Sequence, residues 1–202
     1  MTSIESVTLE VPDPTAGEAF YAAAFGLGDK VRVRTSDAAS SGFRGFALSL
    51  VVSQPSVVDS FIGTALASGA TTLKEASKGF WGYGGIVQDP SGAIWKVATS
   101  SKKDNGEASR KVDDFVLLLG VENVKATKQF YVDHGMNVGK SFGSKYVEFD
   151  NGSSPIKLAL YSRRAAAKDA GVSPEGSGSH RIVIGSDAGP FTDPDGFAWE
   201  AA

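Results

Sequence analysis

Polar and apolar residues alternate along Ile4-Glu5-Ser6-Val7-Thr8-Leu9-Glu10-Val11, and the β-branched content of that run predicts a strand with one buried face. Asp13-Pro14-Thr15 then opens a helix, with a polar cap and a proline in the first turn. The helix extends to about Phe25 and stops at Gly26 and Gly28. Lys30 to Arg34 alternates as a second strand, and Phe46 to Val52 (FALSLVV) reads as another. Val58, Phe61, Ile62 and Leu66 recur at helical spacing over Pro55 to Ser68, ended by Gly69. Tyr83 to Gln88 and Ile94 to Ala98 read as strands joined by the tight turn Asp89-Pro90-Ser91-Gly92.

The second half repeats these signals. Phe115 to Leu119 predicts a strand, and about Glu122 to Asp133 a helix closed by His134-Gly135. Val138 to Phe142, Tyr146 to Phe149 and Ile156 to Tyr161 are three short strands, Ser162 to Ser179 is partly helical, and His180 to Gly185 (HRIVIG) is a further strand. Phe20-Tyr21 and Phe130-Tyr131 occupy matching helices, and Asp89-Pro90-Ser91-Gly92-Ala93-Ile94-Trp95-Lys96 matches Asp193-Pro194-Asp195-Gly196-Phe197-Ala198-Trp199-Glu200 position by position. Two landmarks recurring in the same order point to a duplicated unit. The expected division is 1–99 for the first copy, 100–111 for a polar linker, and 112–202 for the second copy. The helix after FALSLVV has no counterpart after HRIVIG: only Ser186 to Phe191 precedes the final turn, too little for a crossover helix, so the second copy is read as truncated.

Composition narrows the function classes. The 202 residues are 42% hydrophobic and 21% charged, ordinary for a globular chain, and a net charge of −3 offers no basic field for nucleic acid or anionic lipid. Without cysteine there are no disulfides, thiolate metal sites or cysteine nucleophiles. No apolar run reaches the roughly 20 residues of a membrane span, and the N-terminus lacks a secretory pattern, so a cytoplasmic location is expected. Two histidines and no Gly-x-Ser-x-Gly elbow leave no serine-hydrolase constellation, and no catalytic residue is assigned.

The runs IESVTLEVPDPTAGEAFY with QDPSGAIWKV, and VDDFVLLLGVENVKATKQFY with HRIVIGSD and TDPDGFAWEA, resemble the vicinal-oxygen-chelate superfamily, which includes glyoxalase I, bleomycin-binding proteins and extradiol dioxygenases. The resemblance implies an α+β fold: tandem βαβββ modules forming cupped mixed sheets, helices on the outer face, and a ligand cavity inside. In metal-using relatives a His near the start of the first strand, a His opening the next module and a Glu in the last strand hold the ion. Here Ser6, Ala47 and Lys96 fall at those positions in the first copy, and an ammonium at Lys96 repels a cation. In the second copy His180 and Glu200 align with the second and third ligands. Val116 holds the first position by strict offset, and Asp114 reaches it by a two-residue slip on the same face, with Tyr161 as a further oxygen.

Three readings follow. The first is metal-independent binding or sequestration of a small, partly aromatic molecule, with Phe80, Trp81, Tyr83, Arg32 and Lys96 as ligand-binding residues and no cofactor. Phe80 to Tyr83 lies in the glycine-rich segment Gly79 to Gly85, read as a rim loop, although the same rings suit core packing equally well. The second is a divalent-metal lyase, isomerase or dioxygenase run from the second copy alone, with Asp114, His180 and Glu200 holding Fe, Mn, Zn or Ni. The third is an interaction module that dimerises through exposed sheet edges. The expected partner is a small molecule, with or without a homodimer.

Overall fold

A computed structural model describes residues 2–107, 109–150 and 152–202; Met1, Asn151 and Ala108, the last within the expected linker, lie outside the described residues. In chain order the elements are β1 (Ile4–Val11), α1 (Pro14–Ala24), β2 (Val31–Thr35), β3 (Ser40–Gly42), β4 (Phe46–Val51), α2 (Pro55–Ala67), β5 (Thr71–Gly79), β6 (Gly82–Gln88) and β7 (Ile94–Thr99). They continue as β8 (Asp114–Val121), α3 (Val124–Asp133), β9 (Asn137–Phe142), β10 (Tyr146–Asp150), β11 (Lys157–Ser162), α4 (Arg163–Ala170), β12 (Gly176–Gly178), β13 (Ile182–Ser186), β14 (Phe191–Thr192) and β15 (Ala198–Ala201).

Local chemistry sets the helix starts. The Asp13 side chain accepts from the Ala16 amide to cap α1, the Asn123 side chain accepts from Ala126 to cap α3, and the Ser162 hydroxyl accepts from Ala165 to cap α4. Prolines occupy the first turns of α1 and α2, where the missing N–H costs nothing.

Two complete βαβββ modules build the larger sheet. Its order is β5-β6-β7-β4-β8-β11-β10-β9, so β4 to β7 form one half and β8 to β11 the other, joined by the antiparallel pair β4–β8. The smaller sheet, β14-β15-β13-β1-β2, unites the beginning and end of the chain, with β1 between β2 and β13. Each sheet thus draws strands from both expected copies. The first module keeps only β1, α1, β2 and the three-residue β3, and the last module lacks a helix after β13.

Helices α1, α2 and α3 lie in one continuous core with both sheets. Leu9 and Ile184 of the small sheet, Phe20, Phe61 and Tyr131 of the helices, and Trp95 and Leu117 of the large sheet belong to the same buried cluster. The linker is pinned on α2: Gln54, buried, accepts from the Asn105 amide and donates to the Gly106 carbonyl, and Arg110 reaches the Ser60 and Ala24 carbonyls.

The repeated turn has a physical explanation. Buried Asp89 accepts at Oδ1 from the Ser91 and Ala93 amides and the Ser91 hydroxyl, and at Oδ2 from Tyr21 and from Trp95 Nε1. Asp193 accepts likewise from the Asp195 and Phe197 amides and from Tyr131, at 2.6 Å from the phenol. Each carboxylate therefore ties a strand turn to the helix carrying the Phe-Tyr pair. The turns need glycine at their ends, where φ is +99° at Gly92 and +92° at Gly196. The copies differ at two donors: Asp195 replaces Ser91 and its hydroxyl, and Trp199 Nε1 is buried without a partner, whereas Trp95 Nε1 is bonded.

Two elements depart from the sequence reading. Gly79 to Gly85 is no loop: β5 and β6 form a hairpin whose two-residue tip is Phe80-Trp81. The fourth helix, α4, packs on the face of the large sheet turned away from the helical core. There Ala166, Ala167 and Ala170 form a separate small cluster with Phe43, Ile86 and Ile94.

Candidate functional site

Alternation in the large sheet sends one set of side chains to the helical core and the other to the open face. On β7, Trp95 and Val97 join the core while Ile94 and Lys96 face outward; on β4, Leu48 and Leu50 go inward and Ala47 and Ser49 outward. The outward set forms the floor of the cup.

α4 covers part of that floor. Gly120 of β8 admits the helix, since a Cβ there would lie 2.9 Å from the Ala166 methyl. The hollow left beneath, lined by Ala47, Ile86, Ile94, Lys96, Leu118 and Tyr161, measures about 10 Å³, too small to hold a ligand. The helix end is fastened by polar contacts: Lys96 Nζ meets Asp169 Oδ2 at 2.7 Å, and Lys74 Nζ donates to the Lys168 and Asp169 carbonyls. Its apolar contact is slight, three alanine methyls worth about 0.8 kcal/mol each.

Beside α4 the cup remains open as a cleft of about 310 Å³ between the β5–β6 hairpin and the helix end. Gly84 and Gly85 give it a bare backbone wall, and Lys96 and Asp169 meet at its inner end. Phe80 and Trp81 stand at its rim, 82% and 85% exposed, with ring centroids 4.8 Å apart. On the far side of the floor Tyr146 and Tyr161 pack at 4.8 Å, and Tyr146 donates to Glu148. Burial first, then the charges of Asp169 and Glu148, push the Tyr161 phenol up, so it remains an O–H donor at neutral pH.

Four of the five expected ligand-binding residues meet at this cleft: Phe80, Trp81, Tyr83 and Lys96. The Tyr83 hydroxyl turns to α2 and donates to Asp59 at 2.8 Å, which raises its pKa and leaves it a wall residue. Arg32 is elsewhere, in a hollow of the small sheet with Glu18 and Asp29. Asp169 was missed because its sequence surroundings, RRAAAKDAG, show a polar helix and nothing of where it docks.

The residues expected around a metal are dispersed. Asp114 lies on the large sheet and pairs with Lys157 at 2.6 Å. Glu200 lies on the small sheet, where Arg34 bridges it and Glu10 at 2.7 and 2.8 Å; hydrogen bonds to Glu200 and then Glu10 raise the Arg34 pKa. His180 stacks on Phe197, and its two ring nitrogens face the Arg44 and Asp195 carbonyls at 2.5 and 3.0 Å, leaving neither directed at a cleft. Arg44 donates to the Ser91 carbonyl, its pKa lowered mainly by burial. The cup floor itself offers Ala47, Ser49, Lys96 and Val116, a set that does not fit a cation. Among the described residues there is no group of three or more His, Asp or Glu side chains arranged to hold a metal ion.

A larger groove of about 560 Å³ runs along α1, lined by Ala16, Ala19, Phe20 and Ala23. Asp13 caps the helix through one oxygen and Ser91 joins the turn network, so few polar groups of this mostly apolar groove are left to orient a ligand.

Solved structures show the same fold. Glyoxalase I from Zea mays superposes with a TM-score of 0.62 at 15% identity, covering 98% of this chain and 91% of that one. A putative dioxygenase from Bacillus subtilis superposes with a TM-score of 0.59 at 14% identity, covering 91% of this chain and 69% of that one. No family model and no curated protein matches the chain. The fold is therefore glyoxalase-like, and among the described residues no helix is long and apolar enough to cross a membrane.

Proposed function

We propose that the chain binds a small, partly aromatic molecule in the cleft between the β5–β6 hairpin and α4, without a metal ion. One observation carries the reading: the cup's central floor holds a lysine ammonium where a chelating site needs lone pairs, while the adjoining cleft is rimmed by two unpacked aromatic rings. Exposed neighbouring aromatics gain stacking area when a planar ligand enters, and the glycine wall leaves room for one. The dispersal of Asp114, His180 and Glu200 gives the metal-enzyme reading no support from geometry.

Tryptophan fluorescence tests the proposal cleanly. Trp95 and Trp199 are buried, so a ligand-dependent change reports Trp81. A panel of aromatic acids, amines and neutral heterocycles is expected to contain compounds that shift this signal, with the shift lost in Trp81→Phe and affinity lowered in Phe80→Ala. Binding that persists unchanged in both variants places the ligand elsewhere and refutes the proposal.

A further inference from the structure

We infer that the ligand is a small aromatic carboxylate, and that Asp169 occupies its anionic subsite when the cleft is empty; this deepens the binding reading above and rests on it. Across the ladder Lys96 faces Ser49 on β4 and Ile86 on β6, so the neighbouring strands supply no counter-ion. Its partner comes instead from α4, which lies over the cup. Asp169 meets Lys96 at 2.7 Å, and both residues line the cleft.

The pair is built for exchange. Lys96 is 29% exposed and Asp169 42%, so the aspartate can rotate into water without stranding a buried charge. Lys74 holds the backbone carbonyls of the same helix turn, so releasing the side chain need not release the helix. An incoming carboxylate then replaces a carboxylate, and the charge at Lys96 stays balanced. An amine placed against Lys96 meets a like charge. Tyr161 lines the small hollow beneath α4 with Lys96 and Asp169, behind the pair rather than in the cleft. The aromatic part of the ligand extends along the bare backbone of Gly84 and Gly85 toward Phe80 and Trp81.

The test compares 2-naphthoate with its neutral isostere 2-naphthamide by calorimetry and Trp81 fluorescence, in wild type, Asp169→Asn and Lys96→Gln, with thermal melts confirming that each folds. Naphthoate is expected to bind more tightly than naphthamide to wild type. Asp169→Asn, which removes the internal competitor, tightens naphthoate about two- to fivefold, the worth of a part-exposed ion pair, and leaves naphthamide unchanged. Lys96→Gln erases the preference for the acid; should that variant fail to fold, Asp169→Asn decides alone. Naphthoate affinity unchanged or weakened in Asp169→Asn overturns the inference and makes Asp169 a brace for α4. Equal binding of acid and amide overturns the ligand class while the cleft reading stands, and no binding of either removes both.

Discussion

Substituting Asp89 and Asp193 by asparagine, an almost isosteric change, separates two turns that look alike. At Asp89, Oδ1 is held by the Ser91 and Ala93 amides, so the new NH2 group falls at the Oδ2 position, against Tyr21 and Trp95. The tyrosine hydroxyl can turn round and accept; the indole N–H cannot. Trp95 Nε1, fully buried, loses a hydrogen bond to a charged group, worth about 1.5–3 kcal/mol. Arg44, which the Asp89 charge helps to keep ionised, loses that support as well. The expected loss is about 2–4 kcal/mol, a large share of a domain's stability. At Asp193 the same NH2 group meets Tyr131, which can accept, and Trp199 Nε1 has no bond to lose. Burial raises the Asp193 pKa, so its ionised form is already penalised there, and neutralising it recovers part of that cost. The expected change is within about 1 kcal/mol of wild type. Urea unfolding at neutral pH, followed by fluorescence and by circular dichroism to check two-state behaviour, measures both. Equal losses, or a larger loss at Asp193, would show that the tryptophan bond does not distinguish the turns.

All five tyrosines are shifted upward, Tyr21, Tyr131, Tyr146 and Tyr161 chiefly by burial and Tyr83 by Asp59. A raised acid contributes stability in full below its unfolded pKa, about 10, and loses it as pH climbs toward the folded value, so tyrosinate absorbance should rise together with loss of near-ultraviolet dichroism. Ionisation of all five near pH 10 in protein that stays folded contradicts this. Glu200→Ala removes a bridge whose partners are 42% and 51% exposed and should cost under about 1 kcal/mol, less at high salt; a loss of several would mean that the small sheet depends on it. Gly120→Ala places a methyl against Ala166 and should cost about 1–3 kcal/mol with faster hydrogen exchange in α4, whereas unchanged exchange would argue against close seating of that helix.

What the residues disclosed depends on where their information was held. Strands such as β1 and helices such as α2 bury one periodic face, and that period is visible in the chain. β5 is different: Thr71 to Gly79 is exposed at all but two positions, so no hydrophobic alternation marked it, and the tip that joins it to the expected strand Tyr83 to Gln88 looked like a glycine-rich loop. The repeated Asp-Pro-x-Gly turns were plain because a local carboxylate organises each one. Strand order was hidden, since which modules share a sheet is decided by long-range packing. That is why Asp114, which reached the first ligand position by a two-residue slip, could be grouped with Glu200, although it lies on β8 of the large sheet and Glu200 on β15 of the small one. Lys96 was readable as a cation at the cup floor; its partner Asp169 was not, because it arrives on a helix placed by tertiary contacts.

The pairing of Ile4 with Ser186 constrains how this chain acquires its shape on the ribosome. The eight strands between Phe46 and Ser162 find their ladder partners within that interval, whereas Ile4–Val11, synthesised before them, has its antiparallel neighbour only after Ile182–Ser186 emerges. During that interval the opening segment keeps a vacant hydrogen-bonding edge next to the apolar residues Val7 and Leu9, the kind of surface on which chaperones and aggregation compete. A pairing so distant in sequence raises the contact order, and high contact order slows folding in general.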